Sequence, residues 1–175
     1  MKVILVVVAS LDGKTTKWDL PGVDDLSSKE DQEYFYETLN KNKLIIMGRK
    51  TFEVAKPDIY KGSKKLRVVI TKNPKKYKNL EVKDRLEFTD DSPKEIIANL
   101  RNRGHKQALL VGGWEINALF FRNKLVDEIW ATIEPKIFGS GNGLTAAQNL
   151  NVELKLISSK KLNATGTLLL KYEVL

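Results

Sequence analysis

Apolar and polar positions along the chain fall into short runs of two kinds. "KVILVVVA", "KLIIM", "LRVVIT", "LEFT", "QALLV" and "VDEIWATIEP" are apolar and rich in β-branched residues. Apolar runs with little alternation predict strands buried on both faces. Between them, "SSKEDQEYFYETLN" and "SPKEIIANLRNRG" carry apolar residues at helical spacing, and "EINALFF" supplies a shorter helix. Strands separated by helices in this way predict right-handed crossovers and an α/β fold: a mainly parallel central sheet with helices on both faces. After Gly143 the period becomes two. "VELKLISSKK" and "TGTLLLKYEVL" flank "LNATG" and predict a C-terminal antiparallel hairpin that closes one edge. Ser92 followed by Pro93 marks a helix start, and Gly104 marks its stop. No repeat, low-complexity tract or composition break divides the 175 residues, so a single domain over 1–175 is expected.

Composition narrows the chemistry. The chain has no cysteine, which excludes disulfides and thiolate metal sites. Its one histidine, His105, follows a helix-stopping glycine, so nucleophilic triads and the usual zinc sets are excluded and no metal is expected. The apolar core of "MKVILVVVAS" is too short to cross a bilayer, and no cleavage pattern follows it. A cytoplasmic protein without a membrane partner is the expectation. The net charge of +8 fits nucleic acid, phosphorylated metabolites or anionic cofactors. The lysines of "TKNPKKYKN", "KGSKK" and "SSKK" read as solvated loop edges without interleaved aromatics, so a small molecule is expected as partner and nucleic acid is not.

Three junctions attract notice. In "LIIMGRKTFE" a strand gives way to Gly48, Arg49, Lys50 and Thr51 at the start of a helix. In "LLVGGWEIN" Val111 leads through Gly112 and Gly113 into another. Glycines permit close backbone approach, and helix N-termini favour anions, so two such junctions could grip one pyrophosphate. The third, "VVITKNP", places Thr71 and Lys72 where a further phosphate, such as the 2′-phosphate of NADP, could sit.

One carboxylate lies on an unexpected face. Ser27 or Ser28, followed three residues later by Glu30 or Asp31, makes a capping box. Asp31, Phe35 and Leu39 also form one stripe whose lower part is apolar, which aims the acid at the core. Desolvation there raises its pKa and suits it to bind a protonated heterocycle or deliver a proton. It is expected to lack charged company. On "EIWATIEP", Trp130 and Thr132 share a face, so Thr132 could present its hydroxyl to the same cleft.

These residues resemble the dihydrofolate reductase superfamily over nearly the whole chain. "IIMGRKTFE" is similar to its M-G-R-x-T-[WFY]-E motif and "LLVGGWEIN" to its Gly-Gly motif. "WDLP" is similar to its Trp-x-x-Pro segment, and "EDQEYF" to the helix that bears the active-site acid. The resemblance implies a dihydrofolate reductase-like fold and an NADPH-dependent oxidoreductase. It implies that Asp31 fixes a pterin and assists protonation at N5, that Thr132 hydrogen-bonds Asp31, and that Phe35 packs on the substrate. Gln32 stands where an apolar substrate contact is usual, and Lys65 best matches the arginine for the folate tail. Val8 and Thr15 would meet the nicotinamide end through their backbones. Gly48, Arg49, Lys50 and Thr51 would hold cofactor phosphates, with Thr71 and Lys72 near the 2′-phosphate. Gly112, Gly113, Trp114, Glu115 and Ile116 would cover the pyrophosphate, with a cis Gly-Gly bond.

"MKVILVVVASLDGK" and "LVDEIWATIEPKIFGSGNGL" are more similar to a sister group, the riboflavin-pathway pyrimidine reductases. Two reactions follow. The first expectation is reduction of dihydrofolate to tetrahydrofolate. The second is NADPH-dependent reduction of a phosphoribosylated diaminopyrimidine, whose phosphate calls for a second cationic pocket including Lys14 or Lys65. A monomer fits the first and a homodimer the second.

Overall fold

Strand β1, Lys2–Ser10, has no polar face: Val3, Ile4 and Leu5 are each at most 1% exposed. Such a strand must lie inside a sheet covered on both sides. In the computed structural model, which describes residues 1–55 and 64–175, it pairs parallel with β5 (Gln107–Leu110) on one side and β6 (Glu128–Glu134) on the other. Lys61, Gly62 and Ser63 of the "KGSKK" turn lie outside the described residues. The remaining strands are β2 (Leu44–Gly48), β3 (Leu66–Ile70), β4 (Leu86–Thr89), β7 (Leu154–Lys161) and β8 (Leu168–Val174). The sheet order is β4-β3-β2-β5-β1-β6-β8-β7, parallel from β4 to β6, with β8 antiparallel to both β6 and β7.

Side-chain alternation along β1 assigns the layers. Val3 and Leu5 join a core with Ile96, Ile97 and Leu100 of α3 (Pro93–Asn102) and Phe120 and Phe121 of α4 (Trp114–Arg122). Ile4 and Val6 point the other way, where Phe35 and Leu39 of α1 (Lys29–Lys41) cover them. On that same face Phe52 of α2 (Arg49–Val54) packs with Ile45, Met47 and Phe88. Helices therefore lie on both faces, as expected. Among the described residues no helix is long and apolar enough to cross a membrane.

Two expectations need correction. "TKNPKKYKN" is not a bare solvated loop: Pro74–Leu80 is a 3-10 helix, and its Tyr77 is buried and stacked on Phe88 at 4.9 Å between ring centroids. The lysines surround a core anchor. The period-two pattern of "VELKLISSKK" predicts one covered face, yet every residue of β7 is exposed. A register shift between Leu156 and Ser158 interrupts its pairing with β8, and β7 is the sheet's outer strand.

The strand ends create the feature that matters most. β1 stays paired with β6 as far as Ser10 and Glu134, but with β5 only as far as Leu5 and Leu110. Beyond Leu110 the β5 chain follows β2 instead. Val111 donates to the Ile46 carbonyl at 3.0 Å, and Gly48 donates to the Gly112 carbonyl at 2.7 Å. A crevice opens between β1 and β5 at the carboxyl edge, where crossovers leave β1 and β5 in opposite directions along the sheet. Open α/β sheets bind ligands at such a point.

Candidate active site

Asp31 lies at the start of α1. Ser28 is the N-cap, and its hydroxyl accepts the Asp31 amide at 3.3 Å. The Asp31 carboxylate does not return to the cap. It accepts the Ser27 hydroxyl at 2.5 Å and bonds the Thr132 hydroxyl, and the residue is 6% exposed. Burial raises its pKa above the ordinary carboxylate range, the Ser27 and Thr132 hydroxyls pull it back, and Glu134 pushes it up again. Thr132 is also the register partner of Val8, so the acid, the hydroxyl and β1 meet at one place.

The acid has charged company after all. Glu134, two residues beyond Thr132 on the same face, is 1% exposed. One of its oxygens accepts the Ser28 amide and the other the Thr167 hydroxyl, both at 2.8 Å. Asn163, in the β7–β8 turn, donates to Thr167 Oγ1 at 2.9 Å and to Glu30 at 3.1 Å. Glu134 was legible in "TIEP" by the period-two rule. The Asn163–Thr167 turn carried no such signal, because its contact depends on the β6–β8 register.

Across the crevice, the two glycine junctions stand side by side. No side chain caps the N-terminus of α2 at Gly48 or of α4 at Gly113, and the Gly112–Gly113 bond is cis. A methyl group on Gly48 would collide with Ile116, and one on Gly113 would sit 3.4 Å from Thr51 Oγ1. Asn117 Oδ1, buried near Gly112, has no hydrogen-bond partner, while its Nδ2 donates to the Leu144 carbonyl at 2.8 Å. Uncapped helix amides beside glycines that admit close approach fit the pyrophosphate of a dinucleotide. Arg49 is held by Glu53 at 2.5 Å, and Lys50 lies 3.6 Å from Glu115. Thr71 is buried and Lys72 exposed at the end of β3, along the same edge.

The "SLDGK" and "PKIFGSGNG" segments lock each other. Asp12 accepts the Ser10 hydroxyl at 2.6 Å and the Phe138 and Gly139 amides at 3.2 and 2.8 Å. Thr15 donates its amide to the Asn142 carbonyl at 2.7 Å, and Trp18 bridges to Gly141. Gly22 then lies against Val54 of α2, so this loop spans the crevice mouth and leaves Trp18, Leu20 and Val23 exposed there.

Other residues fall elsewhere. The Thr15 amide, expected at the nicotinamide, is already engaged by Asn142. Trp130 does not face the crevice freely: the Lys171 ammonium covers its ring at 3.9 Å. Gln32 is exposed. Lys65 precedes β3, at the opposite end of that strand from Thr71, and donates to Asn40 near the far end of α1 at 2.9 Å. His105 lines a concavity of about 430 Å³ with Lys43, Lys64 and Arg103, at the amino-terminal end of the strands. Burial and nearby Arg103 lower its pKa. Among the described residues, no group of three or more His, Cys, Asp or Glu is placed to hold a metal ion.

The chain belongs to the RibD C-terminal domain family, which matches residues 1–168. It is 26% identical over 166 residues to the uncharacterized protein YwjB of Bacillus subtilis, covering 91% of each chain. Its fold is similar to that of a pyrimidine reductase-like protein from Corynebacterium diphtheriae (TM-score 0.77, 16% identity, 99% of this chain and 92% of that one). It is also similar to a Thermotoga maritima diaminohydroxyphosphoribosylaminopyrimidine deaminase/5-amino-6-(5-phosphoribosylamino)uracil reductase (TM-score 0.74, 17% identity, 98% of this chain and 56% of that one). The family match favours the second expected reaction over the first, dihydrofolate reduction.

Proposed function

We propose that this protein is an NADPH-dependent reductase of a phosphoribosylated aminopyrimidine. The observation that carries the reductase part of this reading is the buried Asp31 carboxyl, held by Ser27 and Thr132. The RibD C-terminal domain family supports the pyrimidine as substrate. Lys65 at the far end of α1 leaves the folate-tail match without support near Asp31.

When bound, NADPH supplies the hydride. Gly48, Arg49, Lys50 and Thr51 would hold its phosphates, Gly112, Gly113, Trp114, Glu115 and Ile116 would cover the pyrophosphate, and Thr71 and Lys72 would meet the 2′-phosphate. Val8 would line the nicotinamide end through its backbone. Asp31, whose pKa burial raises, anchors the polar ring of the substrate and is the group placed to pass a proton to the substrate atom that hydride addition leaves negative, with Thr132 fixing its orientation. Phe35 packs on the ring, and Lys14 supplies a cation for the substrate phosphate.

NADPH oxidation followed at 340 nm with the ribosylated pyrimidine, and separately with dihydrofolate, tests the reading. Turnover on the pyrimidine and little on dihydrofolate is the expected result. Turnover on dihydrofolate alone would return the protein to the other reaction, which the Asp31–Thr132 pair and the "GRKT" motif also suit.

A further inference from the structure

The first turns of α1 and α3 share a sequence pattern and differ in outcome. In α3 the capping box is complete: Ser92 Oγ accepts the Glu95 amide at 3.4 Å, and the Glu95 carboxylate returns to the Ser92 amide at 2.8 Å. In α1 Ser28 Oγ accepts the Asp31 amide, but the Asp31 carboxylate leaves the Ser28 amide alone. That amide is taken at 2.8 Å by Glu134, which arrives from β6. In a capping box a Glu or Gln at the third helical position makes this return bond, and Asp31 carries the same carboxylate at that position of α1. Glu134 therefore occupies the one local partner that would draw Asp31 away from Ser27 and Thr132.

Glu134 is itself firmly placed. It is 1% exposed, and its second oxygen accepts the hydroxyl of Thr167, a residue with no exposed surface. Asn163 fixes Thr167 in turn and also reaches Glu30 on α1. The end of β6, the β7–β8 turn and the start of α1 thus form one hydrogen-bonded unit with Glu134 at its centre.

We propose that Glu134 is a positioning residue that keeps the Asp31 side chain on Ser27 and Thr132 by occupying the helix-cap amide Asp31 would otherwise bind. This deepens the reading of Asp31 as substrate anchor and rests on it for its catalytic consequence, but not for its structural one. With Glu134 removed, the Ser28 amide is left without its acceptor, and rotation of Asp31 about its side-chain bonds completes the box as Glu95 does in α3. The carboxyl then leaves Ser27 and Thr132.

The test compares Glu134→Ala, Glu134→Asp and Glu134→Gln by crystal structure, NADPH dissociation constant, and kcat and KM for the pyrimidine. Glu134→Gln keeps an acceptor on the Ser28 amide and should leave Asp31 in place, with kcat within about threefold of the parent. Glu134→Ala, and Glu134→Asp, whose shorter arm falls short of that amide while its charge remains, should show Asp31 on Ser28. Their kcat should fall by about 10²-fold, as misplaced catalytic groups do, with NADPH affinity unchanged. Should Glu134→Ala fail to fold, Glu134→Asp answers the same question. Asp31 still bonded to Ser27 and Thr132 in both variants would overturn the proposal, as would a Glu134→Gln enzyme as impaired as Glu134→Ala. If the parent turns over neither candidate substrate, the proposed function fails, and the position of Asp31 in the variants still decides this inference.

Discussion

Gly48 donates its amide to the Gly112 carbonyl at 2.7 Å, which joins the two glycine junctions directly. A Cβ on Gly48 would lie 2.7 Å from Ile116 Cγ1, closer than nonbonded carbons approach. The backbone of Gly48, at φ −82 and ψ 158, is one that any residue adopts, so the requirement for glycine is steric. Gly48→Ala should therefore destabilise the protein by about 1–3 kcal/mol through overpacking. Ile116→Ala removes the colliding atom, so the double variant should recover much of the Gly48→Ala cost, measured as a coupling in urea denaturation. Strict additivity would show that the strain lies elsewhere.

Arg49 and Lys72 are assigned to different phosphates, and that separates their expected effects. Arg49 begins α2 with its guanidinium steered by Glu53, which Tyr77 also bonds. Arg49→Ala should weaken NADPH and NADH alike, by roughly tenfold for a partly exposed charge-assisted hydrogen bond. Lys72 stands exposed beyond β3. Lys72→Ala should weaken NADPH by up to roughly fivefold, in the range of a solvent-exposed ion pair, and leave NADH unchanged. Titrations of both cofactors against both variants by fluorescence check the assignment. Equal losses for both cofactors in Lys72→Ala would remove it from the 2′-phosphate.

Burying Asp31 carries a stability consequence whose sign is fixed. Its pKa is raised in the folded protein, chiefly by burial, so the folded state holds the proton more tightly than the unfolded chain. Stability then falls as pH rises from the ordinary carboxylate range through the raised value. Asp31→Asn removes this penalty and retains a carbonyl for the Ser27 hydroxyl. The variant should be more stable than the parent at about pH 7 and lose that advantage at about pH 3, where the acid is protonated in both states. Urea midpoints at the two pH values measure it. A variant less stable than the parent at neutral pH would mean that the Ser27 and Thr132 bonds outweigh desolvation.

The sheet was legible because its central strands are apolar on both faces, and Ser92, Pro93 and Gly104 punctuate α3 as local chemistry requires. Two periodicities, 3.6 along α1 and 2 along β6, allowed the Asp31–Thr132 meeting without requiring it, and the structure makes the bond. The rest depended on tertiary placement. Tyr77 looked like one residue in a lysine-rich loop until β4 brought Phe88 beneath it. The end of α1 nearest Lys65 gave no sign of pointing away from Asp31, because helix direction relative to β3 is a matter of topology. Exposure of all of β7 was hidden for the same reason: alternation records which residues could face a core, not whether one is there.

Asp12 is the joint between the loop after β1 and the loop after β6. It accepts from Ser10, Phe138 and Gly139, and its pKa is held below the ordinary value, chiefly by the Ser10 hydroxyl and, against the desolvation that raises it, by the Gly139 and Phe138 amides. A carboxyl whose folded pKa is depressed contributes stability above its unfolded pKa and loses it as pH falls through the folded value. For this exposed side chain the consequence is local order at the crevice mouth, because Thr15 and Trp18 depend on the same pair of loops. Asp12→Ala should lower the hydrogen-exchange protection factors of the Phe138 and Gly139 amides at neutral pH while leaving β1 and β5 protected. Acidifying the parent through the Asp12 titration should reproduce that loss, and the variant should show no further change over the same range. Protection that survives in Asp12→Ala would assign the closure of these loops to Thr15 and Asn142 instead.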